Sequence, residues 1–77
     1  MKTRDGIRIG NIKKVAEYLG ACVREGTNHP YMLISNNMRP CPLAESTDAK
    51  RMVVPWLRGL TNYSNNEIYN ALRRGYL

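Results

Sequence analysis

Residues 21–34 read Ala21-Cys22-Val23-Arg24-Glu25-Gly26-Thr27-Asn28-His29-Pro30-Tyr31-Met32-Leu33-Ile34. Ala21, Val23 and Glu25 alternate with Cys22 and Arg24, the period-two pattern of a half-buried strand. Gly26-Thr27-Asn28 is turn chemistry, and Pro30 biases His29 toward extended backbone. Tyr31 to Ile34 is a short apolar run that fits a second, largely buried strand. Two strands so closely joined predict an antiparallel hairpin.

Upstream of the hairpin the period changes to that of a helix. Ile12, Val15, Ala16 and Leu19 recur at i, i+3, i+4 and i+7, with Asn11 placed as N-cap and Gly20 as the left-handed residue after the last turn. Residues 1–10 carry only Ile7 and Ile9 as apolar anchors and read as a loose N-terminal arm. Downstream, residues 36–51 are polar, interrupted by Pro40 and Pro42, and read as a long loop. Met52-Val53-Val54 resumes as a third strand that Pro55 ends. Ser64-Asn65-Asn66-Glu67 is a capping box, with Tyr63 and Ile68 at its staple positions. Ile68, Ala71 and Leu72 form the buried stripe of that last helix, and Gly75 stops it. The order is α-β-β-β-α. It predicts an α+β fold, a three-stranded antiparallel sheet with two helices packed on one face.

The chain has 77 residues, enough for a single domain. A chain of this size buries about 60% of its unfolded surface, so any site is a surface or a shallow groove. Lys and Arg number 12 against six Asp and Glu, a formal charge of +6 that favours a polyanionic partner. The basic residues run from Lys2 to Arg74 rather than gathering beside an apolar helix, which argues against a membrane partner. The longest apolar runs fall far short of the roughly 20 residues that span a bilayer, and the charged N-terminus lacks a signal-peptide core. A cytoplasmic location is expected. Cys22 and Cys41 are too few for a disulfide framework, and Cys22 is read as a small hydrophobe in the sheet. With His29 they make three metal ligands without a CxxC pair, so no metal site is expected. Glycine is scattered without a phosphate-cradling pattern, so no nucleotide or other small-molecule cofactor is expected.

His29 is the only histidine. An imidazole, with its ordinary pKa of about 6.5, suits proton transfer near neutral pH. Gly26-Thr27-Asn28 ahead of it could aim backbone N–H groups at a phosphate oxygen. A lone histidine at a strand start also serves as a plain hydrogen-bonding residue. Lys13, Lys14, Arg24, Arg73 and Arg74 are candidates for phosphate contacts, or else a solvated face that keeps the chain soluble. Tyr18, Tyr31, Tyr69, Tyr76 and Trp56 are suited either to stacking on bases or to filling a core that has no Phe; Tyr31 and Trp56 read as core.

Leu19-Gly20, then Val23-Arg24-Glu25-Gly26-Thr27-Asn28-His29 with Tyr31 beyond it, resembles the HicA-like mRNA-interferase toxins. Val53-Val54-Pro55 is similar to that family's Val-Pro, and Asn66-Glu67-Ile68 falls where its last helix lies. The likeness spans residues 11–76. It implies a fold like double-stranded-RNA-binding domains and metal-independent endonuclease cleavage of mRNA, with His29 catalytic. An acidic HicB-like antitoxin would inhibit the toxin, and Thr27 and Asn28 join Lys13, Lys14, Arg24, Arg73 and Arg74 as candidate RNA contacts of this chain. Two departures stand out: the long 36–51 insert, and Trp56-Leu57 where the family often carries a second histidine.

Three other readings stay open beside this toxin–antitoxin hydrolase. One is a non-catalytic RNA-binding module on the same fold. Another is a DNA-binding or phage accessory protein using the last helix. The last is a protein-interaction domain with an acidic partner.

Overall fold

The computed structural model describes residues 1–25, 30–36 and 38–77. Helix α1 (Ile9–Tyr18) leads into strands β1 (Cys22–Arg24), β2 (Tyr31–Ile34) and β3 (Cys41–Leu43). A widened π-helical turn, Ala49–Val53, then runs into the short helix α2 (Val54–Arg58), and α3 (Asn65–Arg74) closes the order. The sheet is antiparallel throughout in the order β1-β2-β3. The α+β class and the three-stranded sheet stand as expected, with one helix more than the sequence reading.

Register follows from burial. Val23 pairs with Leu33 and Leu33 with Cys41, a cross-strand row on the core face. Arg24, Met32 and Pro42 form the neighbouring row, which period two turns to the other face. Leu33, Leu43, Ile12, Val15, Leu57, Ile68 and Leu72 are fully buried and build one core under the helices. Truncating any of these leucines to alanine costs about 2–5 kcal/mol, because the cavity collapses only in part.

The third strand is not where the apolar run suggested. Met52-Val53-Val54 lies in the helical segment, and β3 falls inside the expected loop 36–51. Ala49, Val53, Val54 and Leu57 are all buried, a helical stripe at i, i+4, i+5 and i+8, while Met52 is 45% exposed. Asp48 caps the turn by accepting from Arg51 N at 3.2 Å. Pro55 is the second residue of α2, directly after the π-helical turn, so its missing N–H leaves one bond out of the continuous helical segment. The Val54 N–H reaches back five residues to Ala49 O, and this wider turn makes room for the Pro55 ring. Pro42 is tolerated in β3 because that strand pairs on one side only.

The N-terminal arm is also not loose. Ile7 and Ile9 are buried, and Thr3 beside them is 5% exposed. Thr3 N donates to Ile7 O at 2.8 Å across a turn at Gly6, whose φ is 84°. Arg4 N donates to Thr47 O at 2.8 Å, tying the arm to the segment ahead of Ala49.

Helix ends follow the sequence at three of four sites. Gly20, with φ 94°, ends α1 with Gly20 N donating to Glu17 O and Ala21 N to Ala16 O, the paired bonds of a Schellman motif. Ser64 and Glu67 form the reciprocal capping box, and Gly75 closes α3 at φ 90°. The fourth differs: α1 starts two residues before Asn11, with Arg8 as N-cap.

Candidate nucleic-acid interface

Of the residues expected to carry chemistry, Thr27, Asn28 and His29 lie outside the described residues. Their flanks are described: Arg24 pairs antiparallel with Met32, so β1 and β2 make the expected hairpin pairing. Arg24 is exposed and belongs to the sheet face turned from the core.

Lys13, Lys14, Arg73 and Arg74 are all exposed. Asn11 draws some of them together. Freed from capping its own helix, its side-chain amide donates to Leu72 O at 3.1 Å and Arg73 O at 3.3 Å. The first turn of α1 is thereby fastened to the last turn of α3. Lys14, three residues from Asn11, shares its side of α1. Lys13 lies two residues from Asn11, on a different face, and Arg24 belongs to the sheet. The expected phosphate contacts therefore do not share one surface.

A second group was not foreseen. Asp5 Oδ1 accepts from Thr3 Oγ1 at 2.6 Å and from Ala49 N at 2.9 Å. Its Oδ2 accepts from Lys50 N at 3.1 Å and from the Tyr69 hydroxyl at 3.2 Å. One carboxylate so joins the arm, the N-terminal end of the helical turn and α3, satisfying two orphan N–H groups and facing the positive end of the turn. Partial burial pushes the Asp5 carboxyl up, but the bonds from Thr3, Ala49 and Lys50 together outweigh it and hold the carboxyl below its usual range. Tyr69 is pushed up by burial, then by the adjacent Asp5 carboxylate and the bond donated to it; Arg73 opposes this.

The Lys50 ammonium lies 5.8 Å over the Tyr69 ring, within reach of a cation–π contact. Lys50 and Arg73 therefore flank Tyr69, and Arg73 also belongs to the Asn11 group. The result is a helical surface on which Lys50 and Arg73 stand beside a tyrosine. Lys50 escapes a reading of the sequence because residues 36–51 resemble loop, and Asp5 because the arm resembles a loose lead-in. The helical spacing of Ala49, Val53 and Leu57 is the signal that could have found the turn.

The aromatics divide by burial. Trp56 and Tyr31 pack against the core as expected, with Trp56 Nε1 donating to Arg39 O at 2.6 Å. Tyr18 and Tyr76 are exposed. Cys22, expected to pack as a hydrophobe, is exposed because it neighbours Val23 on the opposite face of β1; Cys41 is the buried thiol, and burial pushes its pKa up to about 11. Among the described residues no three of His, Cys, Asp and Glu gather closely enough to hold a metal ion. No helix among them is long and apolar enough to cross a membrane. Compared with family models, curated proteins and solved structures, the chain matches none.

Proposed function

We propose that the chain binds RNA and, as its likeness to the HicA-like toxins implies, cleaves mRNA without a metal in the cytoplasm, His29 moving the proton. An acidic HicB-like antitoxin would complement its charge of +6. The observation that carries RNA binding is the pair of cations, Lys50 and Arg73, beside Tyr69 on one helical surface. Cations beside an aromatic give a sequence-tolerant grip on a ribose-phosphate chain.

In the cleavage step the RNA 2′-hydroxyl oxygen bonds to phosphorus as the P–O5′ bond breaks. A cyclic 2′,3′-phosphate and a 5′-hydroxyl end result. His29 takes the 2′-hydroxyl proton, a proton returns to O5′, and Arg24, the last residue of β1, offsets charge on the phosphoryl oxygens. A single histidine serving both steps predicts slow turnover.

The second reading, a non-catalytic RNA-binding module, is favoured by the separation of the α3 cations from the sheet face that holds Arg24. One experiment decides. Purified protein and its His29→Ala variant are incubated with single-stranded RNA in EDTA, and binding is measured in parallel. Cleavage by the native chain alone, with equal binding, supports the toxin. Binding without cleavage by either leaves the module. Absence of binding removes both.

A further inference from the structure

Along the flank of α3 away from Tyr69 runs a cleft of about 300 Å³ lined by Tyr63, Glu67, Asn70, Arg74 and Leu77, at the small end of the range of about 300–1,000 Å³ for ligand sites. Glu67, Asn70 and Arg74 recur at i, i+3 and i+7, so one helix face presents an acceptor, an amide and a cationic donor in line, spread over about 10 Å. Each end is fixed from behind. Glu67 Oε1 accepts from Ser64 N at 3.1 Å in the capping box, leaving Oε2 as the second acceptor. Arg74 Nε donates to Tyr76 O at 2.8 Å, and the guanidinium lies 5.1 Å from the Tyr76 ring centroid, leaving its two terminal nitrogens as donors. Tyr63, expected as a helix staple, is 39% exposed and offers a ring to the same cleft.

We infer that this cleft receives a guanine base, a proposal that rests on the RNA-binding reading and gives it base preference. A carboxylate and a guanidinium facing one planar ligand ask for adjacent donors at one edge and acceptors at another. Guanine presents N1–H and N2–H₂ side by side, which a carboxylate accepts, and O6 with N7, which an arginine fork reads. Adenine and cytosine offer the carboxylate a single amino group, and uracil a single N–H. Tyr63 supplies the stacking surface and Leu77 an apolar wall.

The test compares binding of single-stranded RNA hexamers by the full chain: all-uridine, the same with one central guanosine, and the same with inosine, which lacks the N2 amino group. Free guanosine monophosphate is added as competitor, to separate a base in RNA from a loose nucleotide. About tenfold tighter binding of the guanosine hexamer is expected, the discrimination of one bidentate base contact. Inosine should lose most of it. Glu67→Gln keeps the capping box, since Gln caps as Glu does, but turns a donor into the cleft; it should abolish the preference while all-uridine binding stays unchanged. Equal affinity for the three hexamers, or a preference that survives Glu67→Gln, overturns the guanine site and leaves RNA binding standing. Competition by guanosine monophosphate equal to that of the guanosine hexamer would assign the cleft to free nucleotide and overturn its role in RNA. Binding of no hexamer overturns both.

Discussion

The side-chain amide of Asn11 donates to the carbonyl of Leu72 across 3.1 Å, joining the first turn of α1 to the last turn of α3. The contact does for α3 what a polar C-cap does, but from 61 residues away. It also dictates the residue that ends α3. A Cβ at Gly75 would meet Asn11 Oδ1 at 2.8 Å, and the φ of 90° there disfavours any L side chain.

Asn11→Ala is therefore expected to cost about 1–2 kcal/mol in urea unfolding, for a missing bond and a carbonyl left short of a partner. Gly75→Ala should cost more than backbone strain alone. In the Asn11→Ala background its cost should shrink, because the clash is gone and only the left-handed φ remains to be strained. A double-mutant cycle reads the difference; strict additivity would mean that the two residues do not press on each other.

Asp5 gives stability an acid limb. Its folded carboxyl lies below the ordinary value of 3.8, so the contribution is complete above that pH and is lost as pH falls through the lower folded value. Urea midpoints measured from pH 2 to pH 7 should drop below about pH 4. Asp5→Asn should lower the neutral-pH midpoint and flatten that drop. Tyr69→Phe, which removes one donor and leaves the other three, should cost about 1 kcal/mol at neutral pH. An unchanged acid limb in Asp5→Asn would remove the carboxylate from this role.

The segment around Pro55 separates a strand from a helix by which side chains share a face. In a strand Met52 and Val54 would be buried together; in the helix Val54 is 1% exposed and Met52 is 45% exposed. Met52→Lys should change stability by less than about 0.5 kcal/mol, whereas Val54→Lys should cost more than about 4 kcal/mol through an unpaired buried charge. The single Trp56, packed on the core, reports both unfolding transitions by fluorescence. Similar losses in the two variants would restore the strand.

The same segment explains what the sequence could and could not tell. Gly20, Ser64 with Glu67, and Gly75 act through bonds a few residues long, so their motifs were legible and the helix ends followed. The β1–β2 pairing was legible because turn chemistry sits between two patterned runs. Met52-Val53-Val54 misled because three consecutive apolar residues fit either period, and what settles the matter comes from elsewhere: Asp5, 44 residues away from Ala49 in the chain, caps the turn. The arm misled for the reciprocal reason, since Ile7 and Ile9 find their core only once the helices are in place. One cation of the candidate interface, Lys50, was out of reach for the same cause. Lys50 joins Arg73 only through Tyr69, a relation between distant parts of the chain that no local spacing encodes.

The two thiols should behave oppositely. Cys22 is exposed, whereas Cys41 is buried with its pKa pushed up to about 11, and the thiolate is the reactive form. At pH 8 a disulfide exchange reagent should titrate one thiol quickly and the second only on unfolding. Cys22→Ser should remove the fast phase and leave the fold intact. A fast phase that persists in Cys22→Ser would mean that the β3 edge opens readily.

RNA binding should carry the imprint of which cations share the helical surface. A variant that neutralises one phosphate fewer on a single strand has a slope of log affinity against log salt that is shallower by about 0.7. Arg73 takes part in both groups of cations, so Arg73→Ala should reduce affinity and slope the most, with Lys50→Ala next. Lys13 lies on another face of α1, so Lys13→Ala should leave both quantities nearly unchanged although it removes the same charge. That contrast separates a located interface from a general attraction between a basic chain and a polyanion. If all three substitutions reduce the slope equally, net charge alone draws the RNA, and the surface around Tyr69 has no special claim to it.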